Sequence, residues 1–157
     1  MINLNRYICF NLGEEEFTIP LLSVKEVIGV PEVTPVPQTP NYFLGIMNLR
    51  GSVISIMDLR LKVGLPANNS EETTVIILDL GDYNLGVVVD KVNTVMVADE
   101  KSFSEKPPYT TSKVSDSITG IFRKDDHLIL VLDIAKALSV EDHSALARSM
   151  ELQKKAG

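Results

Sequence analysis

The chain has 157 residues, 45% of them apolar, with one Cys, no Trp and a formal net charge of −6. A chain of this length suits one domain or two very small ones and buries about two-thirds of its unfolded surface, so no disulfide or metal staple is required. A single cysteine excludes an intramolecular disulfide and a Cys-based metal cluster, the acidic balance argues against a nucleic-acid surface, and no run of about 20 apolar residues offers a membrane-spanning helix. The expectation is a cytoplasmic protein.

In chain order, Cys9 lies between Ile8 and Phe10 and reads as a small buried hydrophobe. The stretch FNLGEEEFTIPLLSVKEVI, residues 10–28, predicts a hairpin turning at Gly13-Glu14-Glu15-Glu16. Val24, Val27 and Ile28 are spaced to line one face of a turn, with Glu26 directed away from it. VPEVTPVPQTPNYF, residues 30–43, holds four prolines and should run extended, because Pro fixes its own backbone and biases the residue before it away from helix. GIMNLRGSVISIMDLR, residues 45–60, predicts a second hairpin with Asn48-Leu49-Arg50-Gly51 at its tip. Asp58 then stands where a carboxylate caps the first turn of a short helix.

The pattern then recurs. LDLGDYNLGVVVDKVNTVM, residues 78–96, aligns without gaps on residues 10–28 at a shift of 68, placing Gly13 on Gly81. GIFRKDDHLILVLDI, residues 120–134, aligns on residues 45–59 at a shift of 75, placing Gly45 on Gly120 and Asp58 on Asp133. Between these stretches lies a polar connection, residues 98–117, and after them Ser139-x-x-Asp142 is placed to start a final helix with a thin apolar stripe of Leu146 and Met150. Coincident glycines and aspartates in the same order carry more weight than apolar matches. Short Val- and Ile-rich runs bounded by turn residues indicate an all-β protein. The expected organisation is one domain over residues 1–157, built from similar β subdomains at about 10–65 and 74–138 and closed by a tail at 139–157.

The residues offer little for catalysis. The histidines, His127 and His143, read as solvated polar residues in a hairpin and in the terminal helix. No nucleophile elbow, phosphate-cradling loop, dinucleotide fingerprint or zinc-protease motif is present. Asp125-Asp126 and Glu14-Glu15-Glu16 read as turn tips, and neither a cofactor nor a metal is expected. Weight moves to binding. In the second copy the tip equivalent to Asn48-Leu49-Arg50-Gly51 is the polar Arg123-Lys124-Asp125-Asp126, so this hairpin closes without a Leu or an Arg at those places. The first copy therefore carries an apolar anchor and a five-donor cation that its turn does not demand. The alternative reading has Leu49 tucked into the adjoining core and Arg50 paired within the molecule.

At these residues the chain resembles the CheW family of bacterial chemotaxis coupling proteins, over nearly everything from Tyr7 to about Leu138. The most specific part is LGIMNLRGSVISIMDLRLKVG, similar to the family's N-L-R-G, apolar strand, D-L-R pattern, with Ser55 where the family often has Pro. V-x-E-V around Glu26 and GVVVDKV also fit. The resemblance implies two intertwined SH3-like five-stranded β-barrels with short helices and a C-terminal helix. It also implies a non-enzymatic adaptor, without cofactors, that links the regulatory domain of the histidine kinase CheA to the cytoplasmic tips of chemoreceptors. Such an adaptor is cytoplasmic, recruited to membrane-associated receptor arrays, and able to join rings with other CheW-like domains. In family terms Arg50, within N-L-R-G, and Glu26, within V-x-E-V, match positions linked to coupling, and Gly45, Asn48, Leu49 and Gly51 are taken with them as candidate partner-binding residues. Val24, Val27 and the residues Val87, Val88 and Val89 look like parts of an apolar groove between barrels suited to a receptor helix, and Ile28 beside them is a further candidate partner-binding residue. Alternatives are a coupling protein of a paralogous pathway serving pili or another output, a small duplicated-barrel enzyme, and an SH3-like module for Pro-rich peptides. The last expects an exposed aromatic cluster, for which the scattered Tyr and Phe give no support.

Overall fold

The computed structural model describes residues 6–81, 83–98, 100–104, 117–139 and 142–147. Its strands are β1 (Arg6–Leu12), β2 (Glu15–Pro20), β3 (Val24–Gly29), β4 (Phe43–Leu49), β5 (Ser52–Asp58), β6 (Thr74–Asp79), β7 (Asn84–Val89), β8 (Lys91–Val97), β9 (Phe103–Ser104), β10 (Ile118–Lys124) and β11 (His127–Leu132). Short helices α1 (Leu59–Lys62) and α2 (Ile134–Ala137) follow β5 and β11. The strands form one sheet in the order β8-β1-β2-β11-β10-β9 and another in the order β3-β6-β7-β5-β4. The fold is all-β and of the two-barrel SH3-like kind.

Neither sheet comes from one sequence copy. The entry hairpin β1–β2 joins the exit hairpin β10–β11 of the second copy, and β6–β7 joins β4–β5 of the first. The two seams are parallel pairs, with Leu130 opposite Phe17 and Val131 opposite Thr18 in one sheet, and Ser55 opposite Leu85 and Ile56 opposite Gly86 in the other. Applying the two sequence shifts carries one seam onto the other, residue for residue.

The same correspondence explains the coincident glycines and aspartates. Gly45, at φ +142°, lies under the Pro-rich connection, where a Cβ would stand 2.1 Å from the Thr34 carbonyl oxygen. A Cβ on Gly120 would stand 2.1 Å from the Phe103 ring. In each copy the connection also pairs with the next strand residue, Thr34 with Ile46 and Ser104 with Ile121. Asp58 caps α1 by accepting from Arg60 N at 3.0 Å, and Asp133 caps α2 by accepting from Lys136 N at 3.2 Å. Their own N–H groups donate to Tyr42 O and Ser117 O, again residues 75 apart.

Alternation along the paired strands sorts the apolar residues into three cores. Met47, Ile54, Ile56, Val75, Ile77 and Val88 fill one barrel, and Cys9, Phe122, Ile129 and Val131 fill the other. Between the sheets lies a larger core that includes Ile8, Phe10 and Ile19 from one sheet and Ile76, Leu78 and Val87 from the other. Strands β1 and β6 are therefore buried on both faces, which is why their sequences are continuous apolar runs. Cys9 is buried, and that burial pushes its thiol up from its ordinary value.

Residues 142–147 are helical and seal the inter-sheet core with Ala145 and Leu146. The expected cap forms reciprocally: Ser139 N donates to Asp142 Oδ2 at 2.8 Å and Asp142 N donates to Ser139 Oγ at 3.2 Å. Met150, the rest of the expected terminal helix and most of the 98–117 connection lie outside the described residues.

Gly45→Ala forces a Cβ into backbone that has no room to yield, and should cost about 3 kcal/mol or more. Gly29→Ala, where nothing lies within 4 Å, should stay within about 0.5 kcal/mol of the unaltered protein. Urea unfolding checks the pair; equal midpoints would show that the 34–35 crossing does not depend on Gly45.

Candidate functional site

The tip of the β4–β5 hairpin is a two-residue turn, with Arg50 at φ +53° and Gly51 at φ +86°. Both central residues at positive φ make a turn whose twist suits the strands but which L-residues with long side chains rarely adopt. Asn48 holds it by accepting from Gly51 N at 2.9 Å through Oδ1. Leu49 packs, half-buried, on the core of its own barrel. Arg50 reaches out of the turn and pairs with Glu26 in bidentate fashion, Nη1 to Oε1 at 2.6 Å and Nη2 to Oε2 at 3.0 Å.

This pair joins opposite edges of one sheet. Glu26 lies on β3 and Arg50 beside β4, the first and last strands in the order β3-β6-β7-β5-β4. Their contact closes that sheet's mouth into a barrel and keeps a charged, planar group at the rim. The Arg50 side chain remains 73% exposed and that of Glu26 27%. Hydrogen bonding from Arg50 holds the Glu26 carboxyl below its ordinary value. The positions equivalent to Glu26 and Arg50 in the second copy are Thr94 and Asp125, which cannot form an ion pair. There the mouth is bridged by Glu16, which accepts from Asn93 Nδ2 at 2.8 Å and meets His127 Nε2 at 3.1 Å. Asp125 has φ +54°, so the first central residue of the turn is left-handed in both copies, whereas Gly51 at φ +86° has no left-handed counterpart at Asp126.

The residues expected at the site are thus divided. Glu26, Asn48, Leu49, Arg50 and Gly51 meet at one barrel mouth. Val24, Val27 and Ile28 do not line a turn; they lie on β3, where a register shift between Val24 and Glu26 makes Lys25 the extra residue. The bulge leaves Val24 opposite Leu78 and Val27 opposite Ile76 on the inter-sheet face, while Glu26 and Ile28, opposite Ile77 and Val75, point to the barrel interior side. Val27 is 42% exposed. Gly45 is buried beneath Thr34 and Pro35. Val87, Val88 and Val89 are core residues at no more than 1% exposure and offer no surface to a partner. Position in a central strand buried on both faces is the physical reason.

Residue by residue reading missed a buried cation. Arg60, 1% exposed, sits on α1 and uses every guanidinium N–H: Nε and Nη2 donate to Asp58 at 3.0 and 2.9 Å, Nη1 to Asp90 Oδ1 and Asn68 O at 3.0 and 3.1 Å, and Nη2 also to Asn69 Oδ1 at 2.7 Å. Asp90 in turn accepts from Gly13 N at 2.7 Å. The network therefore ties the exit of one sheet to the first turn of the other. Its signal was present in Asp58-Leu59-Arg60 and in Asp90-Lys91-Val92, read only for caps and strands. A second cluster fastens the terminal helix: Lys62 Nζ donates to Asp142 Oδ2 at 2.7 Å, Tyr42 OH donates to Asp142 Oδ1, and Lys62 stands 4.7 Å over the Tyr42 ring. Among the described residues no His, Cys, Asp and Glu cluster is arranged to hold a metal, and no helix is long and apolar enough to cross a membrane.

A family model for the CheW-like domain matches residues 6–142. The chain belongs to this family. CheW-like relatives include the chemotaxis protein CheW of Klebsiella aerogenes, 33% identical over 137 residues that make up 87% of this chain and 82% of that protein. The chemotaxis protein CheW of Helicobacter pylori is 33% identical over 85% of this chain and 81% of its own length. The crystal structure of the scaffolding protein CheW from Thermoanaerobacter tengcongensis superposes with a TM-score of 0.80 at 30% identity, covering 88% of this chain and 95% of that one. Kinship to chemotaxis scaffolds makes the chain a chemotaxis coupling adaptor by family.

Arg60→Met leaves Asp58 and Asp90 without their cation and should cost about 3–5 kcal/mol in thermal or urea unfolding; a loss below about 1 kcal/mol would show that the network is dispensable. Burial alone would raise the Asp142 carboxyl, yet the hydrogen bonds from Lys62 and Tyr42 outweigh it and hold the group below its ordinary value. Its stabilisation is therefore complete above the unfolded carboxylate pKa of about 4 and is lost as pH falls below that toward the lowered folded value. Amide exchange in residues 142–147 should accelerate in that acid range, and Asp142→Asn should remove the pH dependence at the cost of weaker protection throughout.

Proposed function

We propose that this protein is a non-enzymatic adaptor that couples chemoreceptors to a CheA-type histidine kinase by direct contact with the kinase regulatory domain and the receptor tip. The observation that carries this reading is the Glu26–Arg50 pair at the open mouth of one barrel and its absence, by sequence, at the other. Two barrels of one topology present different rims, so the molecule offers two distinguishable ends. An assembly that joins unlike partners needs such ends, and pairing with other CheW-like domains in rings uses the same property.

The rim is also pre-organised. The left-handed turn, the Asn48 bond and the bidentate ion pair fix Leu49, Arg50 and Gly51 before a partner arrives, which cuts the ordering cost of binding. Arg50 keeps its outer surface in solvent while its donors are directed by Glu26, as suits a specificity contact at an interface. The coupling mechanism is population shift: receptor state biases how its tip packs against the adaptor, and the interlaced barrels pass that bias as a unit. The protein acts in the cytoplasm, recruited to receptor arrays.

Arg50→Glu places like charges at the mouth while leaving the cores untouched. In a reconstituted mixture of receptor membranes, kinase and this protein, receptor-stimulated phosphorylation should fall at least about tenfold, since an Arg serving as an interface hot spot costs about 2 kcal/mol or more when lost. The unfolding temperature should change little. Undiminished kinase stimulation by the folded variant would remove Arg50 from the coupling surface.

A further inference from the structure

The internal repeat also relates the two ends at which the sheets meet, and it shows that they are built differently. By the shifts of 68 and 75, Asp90 corresponds to Leu22, Asp58 to Asp133, and Arg60 to Ala135. At one end Arg60 fills the joint, with Asp58 and Asp90 on it and residues 68 and 69 closing over it. At the other end the Asp58 equivalent is kept but the arginine is missing: Ala135 is exposed, and Leu22, where Asp90 would be, is 99% exposed. The residues corresponding to 68 and 69 are 143 and 144, which belong to the helical segment anchored on Lys62 through Asp142 and do not line the cavity at this end.

An open cavity of about 360 Å³ occupies that second joint. Its walls include Ile19, Leu78, Leu80 and Ile134, and its rim carries the carboxylates of Asp79 and Asp133. Asp133 Oδ1 caps α2 and Asp79 Oδ1 accepts from Gly81 N at 2.9 Å, while no donor among the described residues bonds either Oδ2.

We infer that this inter-sheet cavity receives an arginine from a partner protein, flanked by apolar side chains, with Asp133 taking the guanidinium as Asp58 takes Arg60. Complementarity supports it twice: two carboxylates border a trough of mixed polar and apolar lining in which no Lys or Arg stands among the described residues, and the matching joint shows which side chain this geometry accommodates. A guanidinium satisfies a carboxylate by two parallel bonds while its aliphatic stem lies on apolar walls. The inference rests on the adaptor reading for the existence of a protein partner and assigns a chemistry to one of its surfaces.

The test uses the full chain and two acetylated, amidated tripeptides, Leu-Arg-Leu and its neutral isostere with citrulline in place of arginine. Followed by amide NMR, the arginine peptide should shift the resonances of Asp133, Ile134 and Ala135 at concentrations at least about tenfold below those needed by the citrulline peptide, the ratio expected of a charge-assisted bond. Asp133→Asn, which keeps the helix cap, should abolish the difference. Leu22→Asp combined with Ala135→Arg, which rebuilds the filled joint, should abolish both responses. Equal responses to the two peptides, no response at these residues, or a preference that survives Asp133→Asn would each overturn the inference. Binding of a soluble receptor-tip fragment and of the kinase regulatory domain is measured separately: failure of both with the unaltered protein contradicts the adaptor reading whatever the peptides do, whereas receptor-tip binding that Asp133→Asn leaves unchanged contradicts this inference alone.

Discussion

A guanidinium taken out of water must find an acceptor for each of its five N–H groups, and Arg60 finds them on three separate stretches of chain. Asp58 comes from the end of β5, Asn68 and Asn69 from the loop after α1, and Asp90 from the turn between the sheets. Asp90 passes the constraint to Gly13 and so to the first hairpin. Burial opposes the charge, while the two carboxylates hold the group protonated above its already high ordinary value. Such a network is costly to leave half-made. It therefore fixes the relation between the sheets at one end of the molecule, and the position of every surface feature is measured from it.

The exchange of hairpins gives that joint its reach. Each sheet joins strands of both sequence copies across a parallel seam, β1 and β2 with β8 to β11 in one and β3 to β5 with β6 and β7 in the other, so the copies cannot separate without breaking both sheets. The central core draws on both sheets as well. A perturbation at one barrel rim is then felt by a body whose halves share strands, not merely an interface. That is a suitable construction for a protein whose work is to hold partners in a defined relation. The asymmetry lies in side chains placed on a common backbone. Arg50 and Asp125 share a left-handed backbone conformation, and Arg60 and Ala135 share a helix position, but only one of each pair carries a cation.

Much of this was legible in the sequence. The glycines and aspartates that align between copies proved to be the crossings and helix caps, because those positions impose backbone demands that few residues meet. The prominence of Arg50 and Glu26 was also legible, though not their union, since contact between opposite sheet edges leaves no trace in local spacing. The β3 bulge was hidden for a similar reason: one extra residue flips the faces of all that follow, so Val24, Val27 and Ile28 could not be sorted by counting. Val87 to Val89 form an unbroken apolar run, which signals burial on both faces, so their place is in the core and not on a groove surface. Arg60 was concealed by its neighbours, because a charged residue after an Asp cap looks like ordinary helix surface until the fold closes over it.

The central claim is that this CheW-like chain works by binding a kinase. The most direct measurement is calorimetric titration of the purified protein with the regulatory domain of a CheA-type kinase from the same organism. The account predicts saturable binding at one-to-one stoichiometry. Absence of heat and of any complex on gel filtration at high concentration, with both proteins folded, would contradict it.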